Sequence, residues 1–151
     1  VEIVIERPEK RCLVPASAFS EYHPTETMPG ASRKPIKAAS WFRVVGERER
    51  PPFVFAGFYR RWSWEKDGLR KKADAELVEA DTPTLAMTLP TTDSNSVVAP
   101  IYPKAMPVVL RTEVEFETWL HGDVDTALAP QKPLPDDALK LDFTGEKSDR
   151  V

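Results

Sequence analysis

Fifteen prolines stand between Pro8 and Pro135 of this 151-residue chain, against six glycines. Proline removes a backbone donor and breaks a helix interior. Many turns and few long helices are therefore expected, and the spacing of breakers predicts a strand-rich or α+β fold. Between the breakers lie the strand signals. "IKAASWFRVV" and "PFVFAGFYRRW" are dense in β-branched and aromatic residues, which suit a pleated, half-buried surface. The short "GERER" between them is expected to be a charged hairpin tip. "VEIVIE" alternates apolar and acidic residues and reads as a strand. "KRCLVPA" reads as another, with Pro15 ending it or lying on an edge. Residues 24 to 35 are turn-rich and expected to be a loop. "TPTLAMTLPTT" reads as a buried strand ending in a Thr-rich turn, and "MPVVL" as a central strand.

One helix is well signalled. Thr112 and Glu115 form a T-x-x-E capping box. Phe116, Trp119 and Leu120 then share one helical face, and Gly122 is placed to end the helix in a left-handed conformation. "SWEKDGLRKKADAELVEAD" is charge-dense without period and reads as a solvated connection. "APQKPLPDDALKLDF" reads as a linker and a last strand. No repeat or second domain is visible. The organisation expected is one domain over residues 1–143 and a polar, mobile tail over 144–151.

The formal net charge of -3 argues against a strongly basic nucleic-acid binder, although a local basic groove can sit on an acidic protein. One cysteine excludes an intrachain disulfide and fits a reducing compartment. No apolar run approaches the roughly 18 residues of a membrane span. The N-terminus does not resemble a signal peptide. A cytoplasmic protein is expected. The first residue is Val, which suggests that the natural beginning lies upstream.

Cys12, Glu21 and His23 crowd into "RCLVPASAFSEYH" and raise the question of a thiol active site. Cys12 lies in an apolar strand pattern beside Leu13 and Val14. A catalytic thiolate needs a nearby base, cation or helix N-terminus, so Cys12 reads as core. Zinc wants four ligands in paired spacing. Cys12, His23 and His121 offer no pair, and no metal is expected. His23 reads as a solvent-facing loop residue. Glu21 follows Phe19 by two and shares its face if the segment is extended. A carboxylate among apolar groups has a raised pKa, which suits proton transfer. The plainer reading is a surface or salt-bridged Glu. "TTDSNSVVAPIYPKAMP" gathers hydroxyls, an amide, a tyrosine and a lysine in a Pro-punctuated loop, where function often resides. Trp41 and Trp119 read as core residues.

Four segments, in order, resemble one family. "RCLVPASAFSEY" resembles the "RCLIPADGFYEW" signature of the SRAP family (SOS response-associated peptidase). "FVFAGFYRRW" is similar to its "F-A-G-L-W" strand, "LPTTDSN" to its "TT-x-A-N" turn, and "IYPKAMPVVL…FETWL" to its "IHPKAMPVIL…WL" ending. The agreement runs from about residue 9 to residue 121. The resemblance implies an α+β fold on a curved, barrel-like mixed β-sheet with a few short helices. It implies binding to single-stranded DNA at abasic sites. It also implies a peptidase and lyase-like chemistry. An N-terminal cysteine, exposed by removal of the initiator Met, condenses with the sugar aldehyde to a thiazolidine crosslink. A family Glu transfers protons, an Asn near the N-terminus positions the site, and a His in the "IH" motif aids ring opening.

By position, the family Glu falls on Glu21. Tyr22 replaces the following Trp and can still stack on a base. Thr92, Asn95 and Lys104 match positions where sugar or phosphate contacts are expected. Tyr102 stands at the family His, a departure, because tyrosine with a pKa of about 10 titrates poorly near neutrality. Cys12 matches an internal family cysteine. It cannot supply an aminothiol, since its nitrogen lies in a peptide bond. The family's N-terminal Cys and Asn have no counterpart in these residues, so the chain reads as N-terminally truncated or degenerate. No cofactor is expected. The expected partner is single-stranded or abasic-site DNA, with no membrane and a monomeric state. Two rival readings are a non-catalytic single-stranded DNA-binding module and a structural or interaction domain. Salt-dependent binding separates them.

Overall fold

The computed structural model describes residues 5–62 and 84–149. The class is α+β. Among the described residues nine strands, β1 Arg11–Ala16, β2 Phe19–Pro29, β3 Pro35–Val44, β4 Phe53–Trp62, β5 Thr84–Thr88, β6 Thr91–Thr92, β7 Met106–Pro107, β8 Val109–Leu110 and β9 Leu139–Gly145, accompany two short helices, α1 Glu113–His121 and α2 Val124–Leu128. Every described pairing is antiparallel. The strands form three sheets and not a closed barrel: β1-β4-β5 with β8 also on β4, β2-β3-β9, and β6-β7.

β4 explains why two sheets share one core. Phe53 and Phe55 enter a cluster with Phe19, Phe42, Val98 and Met106. Ala56 and Phe58, on the opposite parity, enter a second cluster with Val108, Leu110 and Trp119. A strand buried on both faces needs a near-continuous apolar run, and "FVFAGF" supplies it. Phe19 stacks on Phe42 at 5.2 Å and meets Phe55 edge-on at 6.0 Å, so the β2-β3 sheet is fastened to β4 through aromatic rings.

The hairpin expected between β3 and β4 does not form. β3 pairs with β2 and β9, and β4 with β1, β5 and β8. "GERER" therefore crosses between sheets. The loop expected over residues 24–35 is mostly strand, with the turn confined to residues 30–34. Thr27, Met28 and Pro29 pair with Lys37, Ile36 and Pro35 after a register shift that follows Tyr22. Pro24 lies in that shift, where its missing N–H costs no ladder bond. His23 is in the same irregularity and not in a solvent-facing loop. Its side chain is only 16% exposed, and its Nδ1 accepts from the Glu26 and Thr25 N–H groups at 2.9 and 3.3 Å.

Other expectations are refined. Residues 1–4 lie outside the described set, and Ile5 is buried but not in a strand. "SWEKDGLRKKADAELVEAD" also lies outside the described residues. β5 is not a buried strand, since Leu85 and Met87 are 64% and 57% exposed. "MPVVL" is buried but splits into β7 and β8 around Val108. There the N–H of Val108 donates to Pro90 O and its carbonyl accepts from Ala56 N. β1 forms at the edge with Pro15 inside it. Thr144 and Gly145 complete β9, and Asp149 pairs with Arg50 at 2.8 Å.

The capping box forms as read. Glu115 N–H donates to Thr112 Oγ1, and Glu115 Oε2 accepts from Thr112 N–H. Trp119 is buried on the core face. Gly122 does not adopt the left-handed conformation. Its φ is -62° and ψ 153°, and its role is close approach, because a Cβ there would come 2.5 Å from Thr118 O. The helix end is satisfied by a side chain instead. Arg11, 4% exposed, donates to Trp119 O at 3.1 Å, Gly122 O at 2.6 Å and Ile5 O at 3.0 Å. A cation at helix C-terminal carbonyls is the favourable sign for the helix dipole.

Candidate functional site

Glu21 sits two residues beyond Phe19 in β2, on the face that Phe19 commits to the core. It is half-buried, and burial pushes its carboxyl pKa above the ordinary value. Register places Ser40 opposite Glu21 and Thr144 beyond Ser40. The Ser40 and Thr144 hydroxyls bond to each other at 2.9 Å. On the other parity, Tyr22, Ala39 and Gly145 form the neighbouring row, and Ser20, Trp41 and Phe143 the next. Tyr22 is 54% exposed. Trp41 is half-buried, stacks on Phe143 at 6.0 Å, and so belongs to the outer face and not to the core. Trp119 is in the core at 2% exposure.

These strands meet at a pocket of about 190 Å³ lined by Ser20, Glu21, Tyr22, Ala39 and Lys147. Its lining takes Glu21 from the Phe19 parity of β2, Ser20 and the exposed Tyr22 from the other parity, and the cation Lys147 from beyond β9. The Lys147 Nζ lies 5.1 Å from the centre of the Tyr22 ring. Of the pocket's lining, the sequence singles out Glu21 and Tyr22, and not Lys147, Ser20 or Ala39. The register that brings Lys147 to Tyr22 depends on a bulge between Trp41 and Phe42, and no local pattern announces it.

The 92–104 segment contributes no residue to this pocket's lining. Within it, Asn95 is buried at 7% exposure and its amide is spent on the fold. Its Oδ1 accepts from Val98 and Val97 N–H at 3.0 and 3.2 Å, and its Nδ2 donates to Leu134 O at 3.1 Å. Asp136 accepts the Ser96 N–H at 2.9 Å, and hydrogen bonding from the Ser96 side chain and then its N–H holds the carboxyl below the usual range. Ser94 donates to Tyr102 O at 2.7 Å. These bonds fix a compact loop that presents Tyr102 and Lys104 to solvent. Thr92 is half-buried, with its hydroxyl 3.4 Å from Gln131 O.

Cys12 is half-buried, and burial pushes its thiol pKa up. That is the wrong direction for a thiolate nucleophile. It packs under Gly57, where a Cβ would come 2.9 Å from Cys12 Sγ and 2.8 Å from Val14 Cγ2. Its carbonyl accepts from Trp119 Nε1 at 3.0 Å. Cys12 therefore joins β1, β4 and α1. Among the described residues no helix is long and apolar enough to cross a membrane.

A comparison with curated proteins finds no match. The family model for SOS response associated peptidase (SRAP) matches residues 5–143. The match spans β1 to most of β9, including Glu21, Tyr22 and the whole 92–104 loop, so the chain belongs to the SRAP family.

Proposed function

We propose that this protein binds single-stranded DNA at abasic sites, with Glu21 as the group that moves protons at the opened sugar. The observation that carries this reading is the Glu21 pocket. Glu21, half-buried and with its carboxyl pKa raised by burial, lines one pocket with the exposed Tyr22 and Lys147. A proton-transfer group, a stacking surface and a cation are what a base-less sugar flanked by a stacked base and phosphates requires. In this reading Tyr22 stacks on a neighbouring base. Thr92, Lys104 and Tyr102, the last at the family His position, meet the backbone. Asn95 acts as a positioning residue, because its amide is engaged within the loop.

The family's chemistry enters the same reading. A thiazolidine crosslink and removal of an initiator Met both require an N-terminal cysteine. Cys12 does not supply one, since its nitrogen is an amide and its side chain packs under Gly57. One observation favours a second reading, a non-catalytic single-stranded DNA-binding module: Tyr102 replaces the titrating His.

Fluorescence anisotropy with an end-labelled oligonucleotide, intact or carrying one abasic site, tests the proposal. Binding tighter to the abasic strand and weaker with added salt supports it. A denaturing gel of the same mixtures should show no covalent band from these 151 residues. A band lost in Cys12→Ala would overturn the structural reading of Cys12. Absence of binding at low salt would leave a structural domain.

A further inference from the structure

Residues 146–149 lie beyond the span matched to the family, yet one of them, Lys147, lines the Glu21 pocket. Gly145 ends β9 at φ 155°, a conformation that glycine adopts readily. The chain then runs across the outer face of β3 and is clipped at two points. Trp41 Nε1 donates to Glu146 O at 2.8 Å. Asp149 pairs with Arg50 at 2.8 Å, and Arg50 also binds Asp142 at 2.9 Å. Arg43 holds the other oxygen of Asp142 at 2.9 Å, so the second clip is rooted in β3 and β9. Between the clips stands Lys147, exposed, with its ammonium over the Tyr22 ring.

We propose that residues 146–149 are a strap that completes the binding site, and that Lys147 is its phosphate-binding residue, resting on the Tyr22 ring until a nucleobase takes that place. The inference rests on the single-stranded DNA reading given above and names a residue for it outside the matched span. An exposed cation on a ring is a weaker contact than a nucleobase stacked on the same ring. An arriving base therefore displaces the ammonium. The displaced Lys147 is still tethered by both clips, so it stays within the pocket, where the phosphate next to the stacked base carries the complementary charge. A lysine is a compact point charge on a flexible stem and suits this exchange.

Two variants test the strap by anisotropy with the abasic-site oligonucleotide over a range of NaCl concentrations. Both residues lie near the C-terminus, and thermal melts check that each variant folds. Lys147→Gln should weaken binding about three- to tenfold and reduce the slope of log K against log salt by about 0.7, the loss of one phosphate contact on a single strand. Asp149→Asn removes a negative charge and opens the second clip. If charge alone mattered, it would bind DNA more tightly. The strap requires weaker binding, because Lys147 loses its tether. An unchanged slope in Lys147→Gln, or tighter binding by Asp149→Asn, overturns the strap while leaving wild-type binding intact. Failure of the wild-type protein itself to bind overturns the DNA reading and the strap with it.

Discussion

Glu21 and Ser40 face each other across the β2–β3 ladder, and the Ser40 hydroxyl is bonded to Thr144 at 2.9 Å. The hydroxyl nearest in register to the carboxyl is thus engaged on its far side. Burial is the cause that raises the Glu21 pKa, and this distinguishes Glu21 from the chain's capping carboxylates. Asp123 accepts the Thr126 N–H at the start of α2, and hydrogen bonding from the Thr126 side chain and then its N–H lowers the Asp123 pKa.

The two kinds of carboxyl have opposite pH signatures. Folded Glu21 holds its proton to higher pH than the unfolded chain does. Its contribution therefore favours folding at low pH and is lost as pH rises through its folded pKa. Asp123 and Asp136 contribute above their unfolded pKa and lose that contribution as pH falls through their lowered folded values. Glu21→Gln should melt above wild type at neutral pH. The gain should be small, because water screens a half-exposed carboxyl. It should vanish below about pH 4. Melting curves across that range check the sign.

Gly57→Ala should destabilise by about 1–3 kcal/mol, since its methyl meets Cys12 Sγ and Val14 Cγ2 inside van der Waals contact. Cys12→Ala in the same chain should recover part of the loss by removing one of the two clashes. A thermal double-mutant cycle reads the coupling. A strictly additive cycle would contradict the packing role of Cys12.

Arg11→Met should cost about 1.5–3 kcal/mol for each charged hydrogen bond whose buried carbonyl finds no new donor. The carbonyls concerned belong to Ile5, Trp119 and Gly122. Arg11→Lys should rescue only partly, because an ammonium cannot span three acceptors as a fork does. Denaturant titration measures both.

The sequence carried the class, the capping box, β1, β3, β4 and β9, because each is written in local alternation or spacing. It misled where long-range pairing decides. β3 and β4 read as a hairpin from their proximity, but Phe42 and Phe55 join different sheets. Residues 24–35 read as a loop from their Pro, Thr and Gly content, yet Thr27 to Pro29 find partners across a bulge. No local pattern marks Arg11 as buried, yet it is a clamp on the end of α1. Lys147 was invisible, since its place at Tyr22 follows from the register of β9.

Asn95 and Lys104 should separate scaffold from contact. Asn95→Ala should lower stability by about 1–3 kcal/mol, leaving the Val97 and Val98 N–H groups without their acceptor. Lys104→Ala should leave the melting temperature unchanged and lower the salt slope of DNA binding by about 0.7. Melts and salt-dependent anisotropy on both variants give the two readouts.

The central claim is that the pocket between β2, β3 and residue 147 receives single-stranded DNA. Its most direct test is amide-resonance mapping of the ¹⁵N-labelled protein titrated with an abasic-site oligonucleotide. The account requires the largest shifts at Ser20, Glu21, Tyr22, Ala39 and Lys147. Saturable binding with shifts elsewhere and none at these five residues would contradict it.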